Sequence, residues 1–255
     1  MFKFSVTVLT ISLLGFCHAK PVLSISEQDQ ERSHFLLPYV VGIEKKGDTF
    51  CGGSLIRPAV VLTAAHCLEG KKISNLQIRA GSMYANKDGQ TRTLYDYIIH
   101  PDYAKVRKMD YDIAVIQLNQ PYDIRHQNIA TIKLAKEYVP EGTLARISGW
   151  GRLGPNGTYP LRMRSVSIPI VSEARCKKLT KWKPGLDPKI CAGGREGACD
   201  GDSGGPLVVN AQQIGISTHI FEYCTFGNLP VIFVDIIFMR EWIEFYANKF
   251  QNYFS

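Results

Sequence analysis

From Pro38 onward the chain is a succession of short apolar, β-branched runs cut apart by Gly, Pro, Asn and Asp, and this spacing is its strongest constraint on fold. Strand candidates fall at 39–43, 53–56, 60–63, 76–79, 97–100, 113–118, 144–147, 164–170, 206–209, 213–217 and 231–234. Many short strands with regular turn signals predict an all-β barrel or sandwich. The 255 residues suit one large all-β domain or two small ones. Only two helices are expected. One covers 171–179 behind a Ser172 cap. The other covers 235–250, where Ile236, Met239, Trp242, Ile243 and Tyr246 recur at three and four to make one apolar face.

Three stretches carry chemistry. The first, Gly197-Ala198-Cys199-Asp200-Gly201-Asp202-Ser203-Gly204-Gly205, is too rich in glycine for helix or strand. It offers a nucleophile, Ser203, and two backbone N–H groups, of Gly201 and Ser203, able to point at one developing oxyanion. A serine is a weak nucleophile without a base, and the base must be held in one tautomer by a carboxylate. The second and third stretches supply such partners: Thr63-Ala64-Ala65-His66-Cys67 and Met109-Asp110-Tyr111-Asp112-Ile113-Ala114.

With its chain order His66, Asp112, Ser203, and with Cys51-Gly52-Gly53-Ser54-Leu55 and Ser148-Gly149-Trp150-Gly151, the sequence from Pro38 to the C-terminus resembles the chymotrypsin/trypsin family of serine proteases. The resemblance implies two six-stranded Greek-key barrels with a C-terminal α-helix, and a site between the barrels. It implies Ser203 as nucleophile, His66 as base, Asp112 as orienting acid, and Gly201 with Ser203 as the oxyanion hole. Cys17 lies in the leader described below, and the six remaining cysteines allow fifteen pairings by number alone. The resemblance selects Cys51–Cys67, Cys176–Cys191 and Cys199–Cys224.

Two departures from the family stand out. No Ile-Val-Gly-Gly-like sequence precedes Pro38; Ser24-Ile25-Ser26-Glu27-Gln28 stands in its place. In the family a freed ammonium pairs with the carboxylate matching Asp202, so Asp202 is expected to lack that partner, with Arg164 as a candidate substitute. The second departure is the side-chain pocket. Its floor is Gly197, not aspartate, and its walls carry Thr218, His219, Ile220 and Val231, with branched residues at Ile220 and Val231 where the family has glycines. Trypsin-like preference for Arg or Lys is disfavoured, and small apolar side chains are expected. Asp200 at the rim is expected to repel acidic substrates.

The remaining segments give an address. Residues 1–19, with an apolar run from Val6 to Phe16 and a small residue at Ala19, read as a secretory signal peptide. The run is short for a membrane span. Residues 20–37 read as an N-terminal tail, and 38–255 as the protease domain. The even cysteine count suits an oxidising, extracellular compartment. Asn156-Gly157-Thr158 is a glycosylation sequon.

Net charge is +7, with Lys45/Lys46, Lys71/Lys72, Lys105/Arg107/Lys108, Arg162/Arg164 and Lys177/Lys178/Lys181/Lys183 in clusters. Such clusters suit heparin-like glycans, although a solvated surface explains them as simply. No nucleic-acid partner, cofactor or metal is expected, and the chain is expected to be a monomer. The loop 81–90 lacks the paired acids calcium would need. Two functional readings follow. One is a secreted endopeptidase acting on a peptide or protein substrate, with weak or conditional activity. The other is a non-catalytic homologue that binds a protein of a host or immune cascade or a sulfated glycan.

Overall fold

The computed structural model describes residues 37–253 except 126–127, 155, 181–187, 195, 220–223, 225–228 and 252, with the backbone alone at His219. The leader, most of the tail, and Ile220 of the expected pocket lie outside the described residues.

Two six-stranded antiparallel barrels make up the molecule. The first contains β1 (Val40–Lys45), β2 (Asp48–Arg57), β3 (Val60–Thr63), β4 (Leu76–Ala80), β5 (Gln90–Ile99) and β6 (Ala114–Leu118). They close in the order β1-β2-β3-β6-β5-β4. The second contains β8 (Leu144–Gly149), β9 (Arg164–Val171), β10 (Lys189–Ala192), β11 (Pro206–Val209), β12 (Gln212–His219) and β13 (Val231–Asp235). Their order is β11-β8-β9-β10-β13-β12, closed by pairing of β11 with β12. A two-residue strand, β7 (Lys133–Leu134), adds to β12 in parallel. Closure leaves no open edge in either barrel. Each interior holds its own apolar core: Ile43, Leu55, Leu62, Ile78 and Ile116 in the first, and Ile147, Ile168, Leu207, Ile214 and Phe233 in the second.

Most strand expectations land within two or three residues. The largest difference is β5, expected at 97–100 and observed from Gln90, because Thr91-Arg92-Thr93 turns mostly outward and shows no apolar run. Strands β7 and β10 were not expected from the sequence. One is two residues long, and the other has a lysine at its start.

The short helix α1 (Glu173–Thr180) starts just after Ser172. The last helix, α2 (Ile236–Gln251), is capped by Asp235, whose Oδ1 accepts from the Ile237 and Phe238 N–H groups at 2.8 and 3.1 Å. Although α2 follows a strand of the second barrel, its buried residues Ile236, Met239, Ile243, Ala247 and Phe250 join the core of the first. Arg57 of β2 meets Glu244 at 2.6 Å, and Arg240 donates to the carbonyls of Leu134 and Ala135. The helix thus ties the barrels together. Among the described residues no helix is long and apolar enough to cross a membrane.

Candidate active site

His66 comes from a 3-10 turn (Ala65–Cys67) at the end of β3, and Asp112 from the loop before β6. β3 and β6 are hydrogen-bonded neighbours, so both residues emerge at one rim of the first barrel. The Asp112 carboxylate is fully buried and receives three donors. Its Oδ1 accepts from the His66 backbone N–H at 2.8 Å, and Oδ2 accepts from His66 Nδ1–H at 2.7 Å. The Thr218 hydroxyl of β12 donates to Oδ2 as well. With Nδ1–H engaged, the lone pair of Nε2 is left to take a proton.

The loop that carries Asp112 is fixed from outside. Tyr111 holds a positive φ of 53°, and its ring stacks on His100 at 4.6 Å. His100 in turn packs on Trp242 of α2 at 4.9 Å. These three aromatics join the last helix to the Asp112 loop. The sequence showed Trp242 as one member of a helix face but gave no sign of its partners.

Ser203 arrives from the second barrel on a loop bounded by the Cys199–Cys224 disulfide. The loop is braced by short backbone bonds: Asp202 N–H to Cys199 O at 2.9 Å, Gly204 N–H to Ser217 O at 2.7 Å, and Gly205 N–H to Asp202 O at 3.0 Å. Gly52 N–H of β2 donates to Ser203 O at 2.7 Å, and Thr63 donates to Gly52 O at 2.8 Å. The strands that present His66 therefore also grip the serine. Gly204 has φ +81°, and a Cβ there would fall 2.2 Å from the Thr63 hydroxyl. Only glycine lets the loop lie so close to the first barrel.

The Asp202 carboxyl group is tucked against the backbone of Gly149 and Gly151, where a Cβ at either position would collide with it at 2.2 Å. Its oxygens accept from Gly151 N–H at 2.8 Å and Cys199 N–H at 3.0 Å. Desolvation pushes its pKa up to about 6, partly offset by these two donors. The expected substitute, Arg164, does not serve. It sits across the β8–β9 ladder from Gly149, but its side chain is exposed, and Asp202 is held by backbone N–H groups instead.

Asp200 also differs from expectation. Its carboxylate is ion-paired with Arg152, and Arg152 N–H donates to Asp200 O at 2.8 Å. The rim charge is offset, so the repulsion of acidic substrates expected from Asp200 has no clear source. Of the pocket residues, Thr218 and Val231 are buried and Gly197 is partly exposed. Val231 belongs to the core of the second barrel beside Ala192 and Ala198. Disulfides join Cys51 to Cys67, Cys176 to Cys191, and Cys199 to Cys224. Asn156 is exposed. Where donor atoms gather among the described residues, two of every three are disulfide sulfurs, which cannot act as thiolate ligands.

Two barrels, one presenting a buried carboxylate–histidine pair and the other a braced serine loop, define the architecture of the trypsin-like serine proteases. The Trypsin family model matches residues 25–243. The chain is 36% identical to Hypodermin-B of Hypoderma lineatum over 218 residues, 84% of each protein. It is 35% identical to Trypsin delta of Drosophila erecta, covering 81% of this chain and 82% of that one. Among solved structures it resembles neuropsin, a serine protease expressed in the limbic system of mouse brain, with a TM-score of 0.76 and 26% identity over 84% of this chain and 96% of that one. The chain belongs to the trypsin family.

Proposed function

We propose that the protein is a secreted serine endopeptidase of non-tryptic, small-apolar preference, with weak or conditional activity. The observation that carries this reading is the buried Asp112 carboxylate with its three donors. It engages Nδ1–H of His66 and leaves the lone pair of Nε2 as the base. Ser203 Oγ attacks the scissile carbonyl carbon as its proton passes to His66 Nε2. The N–H groups of Gly201 and Ser203 receive the oxyanion. Collapse of that adduct expels the amine, which takes the proton from His66, and water repeats the sequence to free the acid.

Selectivity rests on Gly197, Thr218, His219, Ile220 and Val231. A buried valine in the wall shortens the slot, and a floor without carboxylate gives a cationic side chain nothing to pair with. Secretion is supported by the leader-like 1–19 segment and by three disulfides. Asn156, exposed in its sequon, is the proposed glycan site.

A second reading, a homologue that binds without cleaving, is favoured by one observation. Asp202 is held by two backbone N–H groups, and among the described residues no cation bonds to it. A fluorophosphonate probe separates the readings. Labelling of the secreted protein that disappears in Ser203→Ala supports the enzyme. A folded protein that takes no label supports the binder, and its partner is then sought by heparin affinity and by capture on candidate cascade proteins.

A further inference from the structure

Where the connection from β7 to β8 meets the starts of α1, β10 and α2, a cavity of about 240 Å³ opens beside the core of the second barrel. None of His66, Asp112, Ser203 or the proposed specificity residues lines it. Its size lies above the roughly 150 Å³ of an apolar cavity that takes up benzene and below the roughly 300 Å³ at which pockets for drug-sized ligands begin. It therefore suits one ring or one short chain.

The walls are set before any ligand arrives. The Glu141 turn is pinned to β9: Gly142 N–H donates to Ile170 O at 2.8 Å, and Ile170 N–H donates to Thr143 O at 2.9 Å. The Cys176–Cys191 disulfide ties α1 to β10. Pre-organised walls spare a ligand the cost of ordering them.

The lining is apolar below and acidic above. Ile170 and Ile214 are buried, and Val139, Ile190 and Ile237 are half-buried. Three carboxylates share the lining with one ammonium, in a chain whose net charge is +7. The ammonium, Lys189 Nζ, donates to Met109 O at 3.0 Å. Asp235 caps α2 and accepts from the Tyr138 hydroxyl, so its charge is already met. Glu173 pairs with Lys177 one turn along α1, a pair exposed enough to exchange readily. Glu141 is exposed and makes no ion pair among the described residues.

We propose that this cavity binds an organic ammonium on a short apolar stem, the stem entering between Val139, Ile190 and Ile237 and the cation meeting Glu141. An anion would face three carboxylates, and a neutral ligand would leave Glu141 without a partner. The same chemistry is offered by a free amine or by a lysine side chain of another protein. The inference stands apart from the protease reading, since it uses none of that site's residues.

The test measures binding of 2-phenylethylamine to the secreted protein by calorimetry and saturation-transfer NMR, with 2-phenylethanol as the neutral control. The amine is expected to bind at millimolar concentration and the alcohol about fivefold more weakly, the size of a partly exposed ion pair, with the gap closing in high salt. Glu141→Gln is expected to weaken the amine about threefold and to leave the alcohol unchanged. Val139→Trp fills the cavity and abolishes binding of both. Cooperative melting checks that each variant folds, and Glu141→Gln, a surface change, keeps the test intact should Val139→Trp not fold. No binding of the amine, an alcohol that binds as well, or amine binding unchanged in either folded variant overturns the inference. An acetyl-Ala-Lys-Ala-amide peptide that binds more tightly than the amine identifies a protein side chain as the source, and the reverse order identifies a free amine.

Discussion

Asp112 accepts two hydrogen bonds from one residue, the backbone N–H and the side-chain Nδ1–H of His66, at 2.8 and 2.7 Å. The pair of hydrogen bonds fixes both where the imidazole sits and which way it faces. Asp112→Asn keeps the shape but replaces one accepting oxygen with a donor, which favours the wrong tautomer. A fall of about 10⁴ in kcat is expected, as loss of the orienting acid costs in enzymes of this arrangement. Thr218→Val removes a single donor to the same carboxylate, and about tenfold is expected, the worth of one hydrogen bond to a charged group. Steady-state kinetics on a small-apolar peptide checks both, and equal losses in the two variants would contradict the hierarchy.

Asp202 gives a pH dependence of defined sign. Burial pushes its pKa up to about 6 in the folded protein, well above the usual carboxylate range. The folded state therefore binds this proton more tightly than the unfolded one. The stabilising contribution is fully present below about pH 4 and is lost as pH rises through about 6. The change corresponds to about 3 kcal/mol. Asp202→Asn abolishes that titration. Urea unfolding of both proteins between pH 4 and 7.5 should show the wild type losing stability relative to the variant as pH rises. A flat difference would mean that a cation neutralises the carboxylate.

The strand pattern and the three chemical stretches were legible in the sequence because each is a local signal, whereas the disulfide partners, fifteen pairings by number alone, followed only from the resemblance to the chymotrypsin/trypsin family. What stayed hidden depends on contacts across the chain. β10 begins with Lys189, whose Nζ bonds the carbonyl of Met109 eighty residues away, so its charge misleads a local reading. The seat of Asp202 is made by the missing side chains of Gly149 and Gly151, which look in sequence like an ordinary turn around Trp150. Asp200 was read as an open charge because nothing local shows that Arg152 reaches it. Tyr111, His100 and Trp242 become one unit only when α2 folds back on the first barrel.

Arg152 and Asp200 are both partly exposed, so their pair contributes little to stability. Arg152→Ala is expected to cost under about 1 kcal/mol in urea unfolding. Its larger effect is on substrate choice. The freed Asp200 carboxylate stands beside Gly201, and peptides carrying acids near the cleaved bond should lose severalfold in kcat/KM while neutral ones change little. Restoration by high salt would identify the effect as charge repulsion. Equal losses for acidic and neutral peptides would point to a disturbed oxyanion loop instead.

Val231 is fully buried in β13, opposite Ala192 of β10 and in one core with Ala198, which leads into the serine loop. In the proposed function Val231 is one wall of the slot for the substrate side chain. Val231→Gly removes its methyl groups at a cost of about 2–3 kcal/mol, from lost burial and from the greater freedom of glycine in the unfolded chain. If the valine limits the slot, the variant accepts larger apolar side chains at the cleaved bond, and kcat/KM for Phe or Leu rises relative to Ala despite the lower melting temperature. A stability loss with no change in that ratio would show that residues other than Val231 close the slot.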